Sequence, residues 1–174
     1  DKAIELGQKA IAFSEHGNIY TWVEKKMYCD EKGIKYIHGV ECYLTEQLEP
    51  KVRDNYHTVL LAKNYEGVEE INRLCYIASQ PDHFYYKPRL SFDEFKNISD
   101  NVIKISACLA SPLNEWRKNH LHLTTSPFQS LVSHYDYLEI QPHDFAEQRE
   151  YNRFLIDISK KTNIPLIAGT DTHS

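Results

Sequence analysis

Over almost its whole length the chain alternates between short apolar runs and longer segments whose apolar residues recur at helical spacing. Ile11–Phe13 is a short apolar run, followed by a helical stretch from about Ile19 to Glu31 that stops near Gly33. "IKYIHGVECYL" (34–44) is rich in β-branched and aromatic residues, as strands are. "HTVLLA" (57–62) is another such run, and the helix predicted after it, from about Tyr65 to Ala78, carries Val68, Ile71, Leu74 and Cys75 at helical spacing. "VIKIS" (102–106), "YDYLEI" (135–140) and "IPLIAG" (164–169) are further strand candidates, the last two flanking a helix from roughly Phe145 to Lys161. The alternation predicts one α/β domain whose strands run parallel. "SQPDHFYYKPRLS" (79–91) and "NHLHLTTSPFQS" (119–130) are polar and proline-bearing, and read as loops.

The 174 residues are enough for one domain with a real core, and 41% hydrophobic with 26% charged residues is the balance of a globular protein. No apolar run approaches the length of a membrane span. The four cysteines, Cys29, Cys42, Cys75 and Cys108, form no C-x-x-C pair and read as reduced thiols of a cytoplasmic protein. A formal net charge of −5 argues against a binder held to nucleic acid by phosphate attraction alone. It leaves room for a hydrolase that meets phosphates through bound cations. The opening "DKAIELGQKA" reads as the last turns of a helix, and the chain stops just after an apolar run, so both ends look cut from a longer protein.

The strand boundaries carry the chemistry. His16 follows the first strand, Glu41 lies within the second and His57 opens the third. Cys108 follows "VIKIS", and Asp171 with His173 follows "LIAG". Parallel strands deliver their ends to a common face, so such residues converge although they are far apart in sequence. In extended chain residues i and i+2 point the same way, which lets Asp171 and His173 grip one ion or two adjacent ions. Imidazole and carboxylate suit divalent zinc, manganese or iron. Two such cations brought together by bridging carboxylates favour phosphoester hydrolysis by activating water and balancing charge on the phosphoryl oxygens.

Taken singly, each of these residues also has an ordinary structural reading: a hydrogen-bonded histidine, a small buried cysteine, a glutamate paired to a lysine. That reading is preferred for His38, His83, His120, His122 and His134. His143, in "EIQPHD", either lines the site or belongs to a turn set by Pro142, and Glu139 faces either the site or a helix. Arg89, in "YYKPRLS", is a candidate phosphate contact, whereas Lys87 reads as a solvated basic residue.

These residues together resemble the PHP (polymerase and histidinol phosphatase) domain of bacterial DNA polymerase III alpha subunits. The resemblance rests on E-H-G-N followed by a helix and G-I-K-x-I-x-G-x-E-x-Y, then "HTVLLAKNYEGVEEINRL", "FYYKPRLS", "SACLAS", "YLEIQPH" and the closing D-x-H, in that order. It implies a single PHP domain over 1–174, a distorted (βα)7-type barrel whose first strand, bearing His-x-His, lies upstream of Asp1. It also implies up to three divalent metals, zinc or manganese, held by His16, Glu41, His57, Cys108, Asp171 and His173. Glu15 stands where the family usually has Asp and is expected to orient His16.

The same resemblance implies a metal-dependent phosphoesterase of the 3′–5′ exonuclease, proofreading type. His16, Glu41, His57, Asp171 and His173 would then act through the metals, with Arg89 and His143 near the substrate phosphate. The expected partners are a DNA 3′ end, the rest of a polymerase chain and other replisome subunits, with no membrane. The alternatives are a non-catalytic docking domain of the polymerase, and a free-standing PHP phosphatase such as histidinol phosphatase.

Overall fold

The computed structural model describes residues 1–123 and 125–173. A short helix α1 (Lys2–Glu5) leads into β1 (Ala10–His16), α2 (Trp22–Lys32) and β2 (Lys35–Thr45). Then come β3 (Tyr56–Ala62), α3 (Tyr65–Ala78), β4 (Arg89–Ser91), α4 (Phe92–Lys96) and β5 (Val102–Ile105). The second half holds α5 (Pro112–Glu115), a π-helical turn (Trp116–His120), a 3-10 turn (Gln129–His134), β6 (Leu138–Ile140), α6 (Ala146–Thr162) and β7 (Leu166–Ala168).

The sheet runs β1-β2-β3-β5, with β4 added to the end of β2 on the side that β1 occupies. A single parallel bridge from Ile105 to Tyr137 carries it on to the parallel pair β6 and β7. The outcome is a barrel-like α/β arrangement, as expected, with one correction to the parallel reading. β3 is antiparallel to both of its neighbours, β2 and β5. The cause is legible in the connections: a parallel return needs a crossover, usually helical, and no helix separates β2 from β3.

Helix formation follows local signals. Asn64 caps α3, its side chain accepting from the Gly67 N–H at 2.9 Å, and Ile71, Leu74 and Ala78 make a buried stripe at helical spacing. That stripe packs on β3, β2 and β4 and joins Leu44, Leu60 and Leu90 in the core. Ser91 and Glu94 close a capping box over α4, which buries Phe92 and Phe95. Tyr151, Leu155 and Ile158 of α6 complete the core from the other half. β7 is the contrast, exposed at all three residues. Among the described residues, β1 and β7 each have one paired edge.

Candidate metal centre

The reversal of β3 is what assembles the site. In an all-parallel sheet, His57 at the start of its strand would sit at the opposite end from His16 at the finish of β1. Because β3 runs the other way, its first residues share an end with the last residues of β1 and β2. The register places Glu41 opposite His16 on one side and Val59 on the other, so His57 lies diagonally across from Glu41 on the same face.

The Glu41 carboxylate is the hub, with a side chain only 6% exposed. Its Oε1 lies 3.0 Å from His57 Nδ1 and its Oε2 lies 3.4 Å from His16 Nε2. Cys108 Sγ is 3.7 Å from the same His57 nitrogen. Ligand atoms of Glu41, His57 and Cys108 all fall within 4.8 Å of one another, the spread expected of groups able to share one cation. Ala107, at φ 58, sets the left-handed turn that delivers Cys108.

A second set lies at the mouth. His173 Nε2 is 2.8 Å from His16 Nε2, and Asp171 Oδ1 is 3.9 Å from His173 Nδ1. Asp171 also has a positive φ, 51°. A cavity of about 590 Å³ joins the two sets, lined by His16, Glu41, Cys108, Glu139, Asp171 and His173 among others. His57 stands against Glu41 and Cys108, its ring 5.0 Å from Tyr43. The structure thus brings the six proposed ligand residues to one end of the sheet.

Electrostatics follow from that burial. Burial acts to raise the Glu41 pKa, but hydrogen bonding to His57 and the nearby imidazoles outweigh it and hold the carboxyl below its usual range. Burial likewise acts to lower His57, and its bonds to Cys108 and Glu41 carry it up to about 9. Glu41 Oε2 is buried without a hydrogen-bond donor. An orphaned carboxylate oxygen facing imidazoles across a polar cavity suits a divalent cation, and the mixed donor set of carboxylate, imidazole and thiol suits zinc best.

Other residues fall elsewhere. Arg89 is 1% exposed; its Nη1 donates to the Val52 carbonyl at 2.6 Å and its Nε to the His83 carbonyl at 3.2 Å. Its expected phosphate contact therefore gives way to a structural clamp, because β4 pairs Arg89 with Tyr43 and turns it inward. His143 Nε2 lies 3.2 Å from the Thr170 carbonyl, beside the cavity's outer lip. Glu15, expected to orient His16, pairs instead with Lys25 of α2; successive strand residues point to opposite faces, and His16 takes the other one. Glu139, left open between site and helix, lines the cavity. Its pKa is raised by burial and by Asp171 and Glu41, and Gln141 donates to it at 2.8 Å. The signal was an acid at the centre of a three-residue strand, "LEI", whose flanking residues are apolar.

The PHP domain family matches residues 1–166, which takes in four of the six residues and stops before Asp171 and His173. The chain is 32% identical to the DNA polymerase III subunit alpha of Aquifex aeolicus over 189 aligned positions. It is 31% identical to that of Borreliella burgdorferi and 30% to that of Chlamydia pneumoniae. In each case 99% of this chain is covered, and the chain spans 16% of the length of those relatives. Among solved structures it is similar to a Bifidobacterium adolescentis protein inferred to be a metal-dependent phosphoesterase, with TM-score 0.61 and 13% identity, covering 99% of this chain and 80% of that one. A two-domain Bacteroides vulgatus protein containing a predicted PHP-like metal-dependent phosphoesterase gives TM-score 0.58 at 14% identity, covering 99% and 46%. At such identities the likeness is one of fold, and it agrees with the family match and with the strand-end cluster: the chain belongs to the PHP domain family.

Proposed function

We propose that this chain is a metal-dependent phosphoesterase domain of a replicative DNA polymerase chain, hydrolysing phosphodiester bonds at a DNA 3′ end. The observation that carries the reading is Glu41, a buried carboxylate with one oxygen on His57 and the other without a donor, within ligand distance of Cys108. Glu41, His57 and Cys108 would hold one divalent cation, zinc or manganese, and His16, Asp171 and His173 would hold a neighbouring one. When bound, such cations supply Lewis acidity and activate water for attack at phosphorus.

The protein's own contribution is placement and protonation. Metal-free His57 carries a proton toward Glu41, so occupation of that point requires His57 to release it, and uptake of metal becomes pH-dependent. Gly17 positions the wall: a Cβ there would meet Pro88 Cγ and Tyr43 Cε2 at 2.8 Å, so glycine lets the loop before β4 close on the residue after His16. Tyr43 then packs edge-on against His57 and fixes its ring. Under this reading the partners are the remaining polymerase chain and other replisome subunits, in the cytoplasm. No helix among the described residues is long and apolar enough to cross a membrane.

The test is metal analysis of the full-length chain with assay of 3′–5′ hydrolysis in added zinc or manganese. Stoichiometric metal, lost together with hydrolysis in His57→Ala and Asp171→Ala, is the expected result. Absence of both metal and hydrolysis in the parent sinks the reading. Variants that alter stability or partner binding while hydrolysis is unchanged would point to a docking domain.

A further inference from the structure

The loop before β4 contains a strained aromatic that the metal centre does not use. Tyr86 has φ 58, a left-handed conformation that a bulky side chain rarely adopts, and it is 69% exposed. It sits at the apex of a tight turn closed by the Tyr85 N–H donating to the Lys87 carbonyl at 3.1 Å. Strain of this kind persists where its surroundings over-determine it, and it collects at ligand sites. The surroundings here are firm. Arg89 clamps the loop to two carbonyls, Pro88 wedges against Gly17, and His83 is held by Glu94 at 2.7 Å.

The groups displayed by this turn form a coherent set. Arg53 lies 4.9 Å over the Tyr86 ring, which meets the Tyr85 ring edge-on at 4.8 Å. Phe84, on the same loop, is half exposed. On the inner side Lys87 Nζ lies 5.0 Å over the Tyr43 ring, and Tyr43 in turn packs on His57. Neither Arg53 nor Lys87 has a carboxylate partner among the described residues. Lys87, the residue after Tyr86, thus stands one ring away from His57.

We propose that the turn at Tyr85–Lys87, with Phe84 and Arg53, is a platform for the last unpaired bases of a single-stranded DNA 3′ end, whose scissile phosphate Lys87 guides to the metal centre. The proposal rests on the phosphoesterase reading and names how its substrate is held. The exposed Phe84 and Tyr86 rings can stack on any base, and two cations without carboxylate partners match the phosphates between the bases. Charge also sets the direction. Lys87 and Arg53 draw a polyanion to the side on which they stand. With a chain of net charge −5, two cations give a local guide of modest affinity, with no strong general attraction for DNA.

The experiment uses the full-length chain in EDTA, where hydrolysis is silent, with short oligo(dT) carrying 5-iodouracil beside its 3′ end. Photocrosslinks mapped by mass spectrometry are expected on Phe84 or Tyr86. Their yield should fall in the Arg53→Ala/Lys87→Ala double variant, and the dependence of that yield on salt should be lost with it. Against salt the yield should follow a log–log slope of about −1.4, as for two phosphates on a single strand. Tyr86→Gly guards against a folding artefact. Glycine accepts the positive φ, so this variant should melt at or above the parent while its KM for a single-stranded 3′ end rises. Crosslinks confined to other segments, or a yield unchanged in the double variant, overturn the platform. Hydrolysis with metal but without these crosslinks defeats the platform and spares the phosphoesterase reading; crosslinks without hydrolysis do the reverse.

Discussion

Two clusters in this molecule are built from the same kinds of group and end in different states. Around His57 stand Glu41, His16 and Cys108; around His83 stand Asp82 and Glu94. At His83 every strong donor is answered: Nδ1 meets Asp82 at 2.8 Å, Nε2 meets Glu94 at 2.7 Å, and the other Glu94 oxygen accepts from Ser91 in the capping box. At His57 the carboxylate keeps a buried oxygen without a donor, and a cavity opens beside it. A histidine between acids is therefore no metal ligand by composition. What separates the two is whether the protein itself completes the hydrogen bonding.

The strongest way to break the contrast is Glu41→Gln. The amide keeps the shape and can still accept from His57, but it loses the charge that draws a cation. Bound metal and 3′ hydrolysis should fall by more than the 10- to 100-fold that losing a partner behind the ligands costs. The metal-free protein should shift by only about 1 kcal/mol, because one hydrogen bond changes character without a cavity forming. Metal analysis beside thermal melting in chelator separates the two effects. Equal metal content in parent and variant would remove Glu41 from the centre. A second change, Cys108→His, sharpens the same point: it should retain a cation while moving preference from zinc toward manganese, read by competition between the two metals.

How much of this was legible in the sequence differs residue by residue. His16, Cys108 and the Asp171-x-His173 pair stood out because strand ends are marked by local patterns that need no knowledge of pairing. The direction of β3 was not read, although the helix-free stretch between Thr45 and Tyr56 carried the signal. The inward placement of Arg89 was hidden for a different reason. Arg89 is buried by the pairing of a three-residue strand with Tyr43, far away in the chain, and by its bonds to the Val52 and His83 carbonyls. The strained turn at Tyr86 was equally hidden, since nothing in "FYYKPR" contains the glycine or asparagine that usually announces positive φ.

On the closed cluster the effects are smaller and fall on stability. Glu94→Ala removes the reciprocal cap of α4 and one partner of His83 together, and should cost about 1–2 kcal/mol by denaturant unfolding, with metal content unchanged. Loss of metal in that variant would couple the two clusters through the loop that joins them, and they would no longer be independent.

The smallest and most specific expectation concerns pH. Burial acts to lower the His83 pKa, but the bonds and charges of Asp82 and Glu94 prevail and raise it above its ordinary value of 6.5. Burial acts to raise Glu94, and its bonds to Ser91 and His83 prevail and hold it below 4.5. A raised histidine pKa stabilises the fold fully below the unfolded value and loses that contribution as pH rises through the folded value. A lowered carboxyl pKa contributes above its unfolded value and loses it as pH falls through the folded one. The pair is therefore at full strength between pH 4.5 and 6.5. The gap in melting temperature between the parent and His83→Gln, both in chelator, should be widest in that window and narrow on the alkaline side. Glutamine keeps a hydrogen-bonding side chain but cannot be charged, so the narrowing isolates the imidazolium. A gap that stays constant into the alkaline range would mean that His83 is neutral in the fold and that its two acids are held by hydrogen bonds alone.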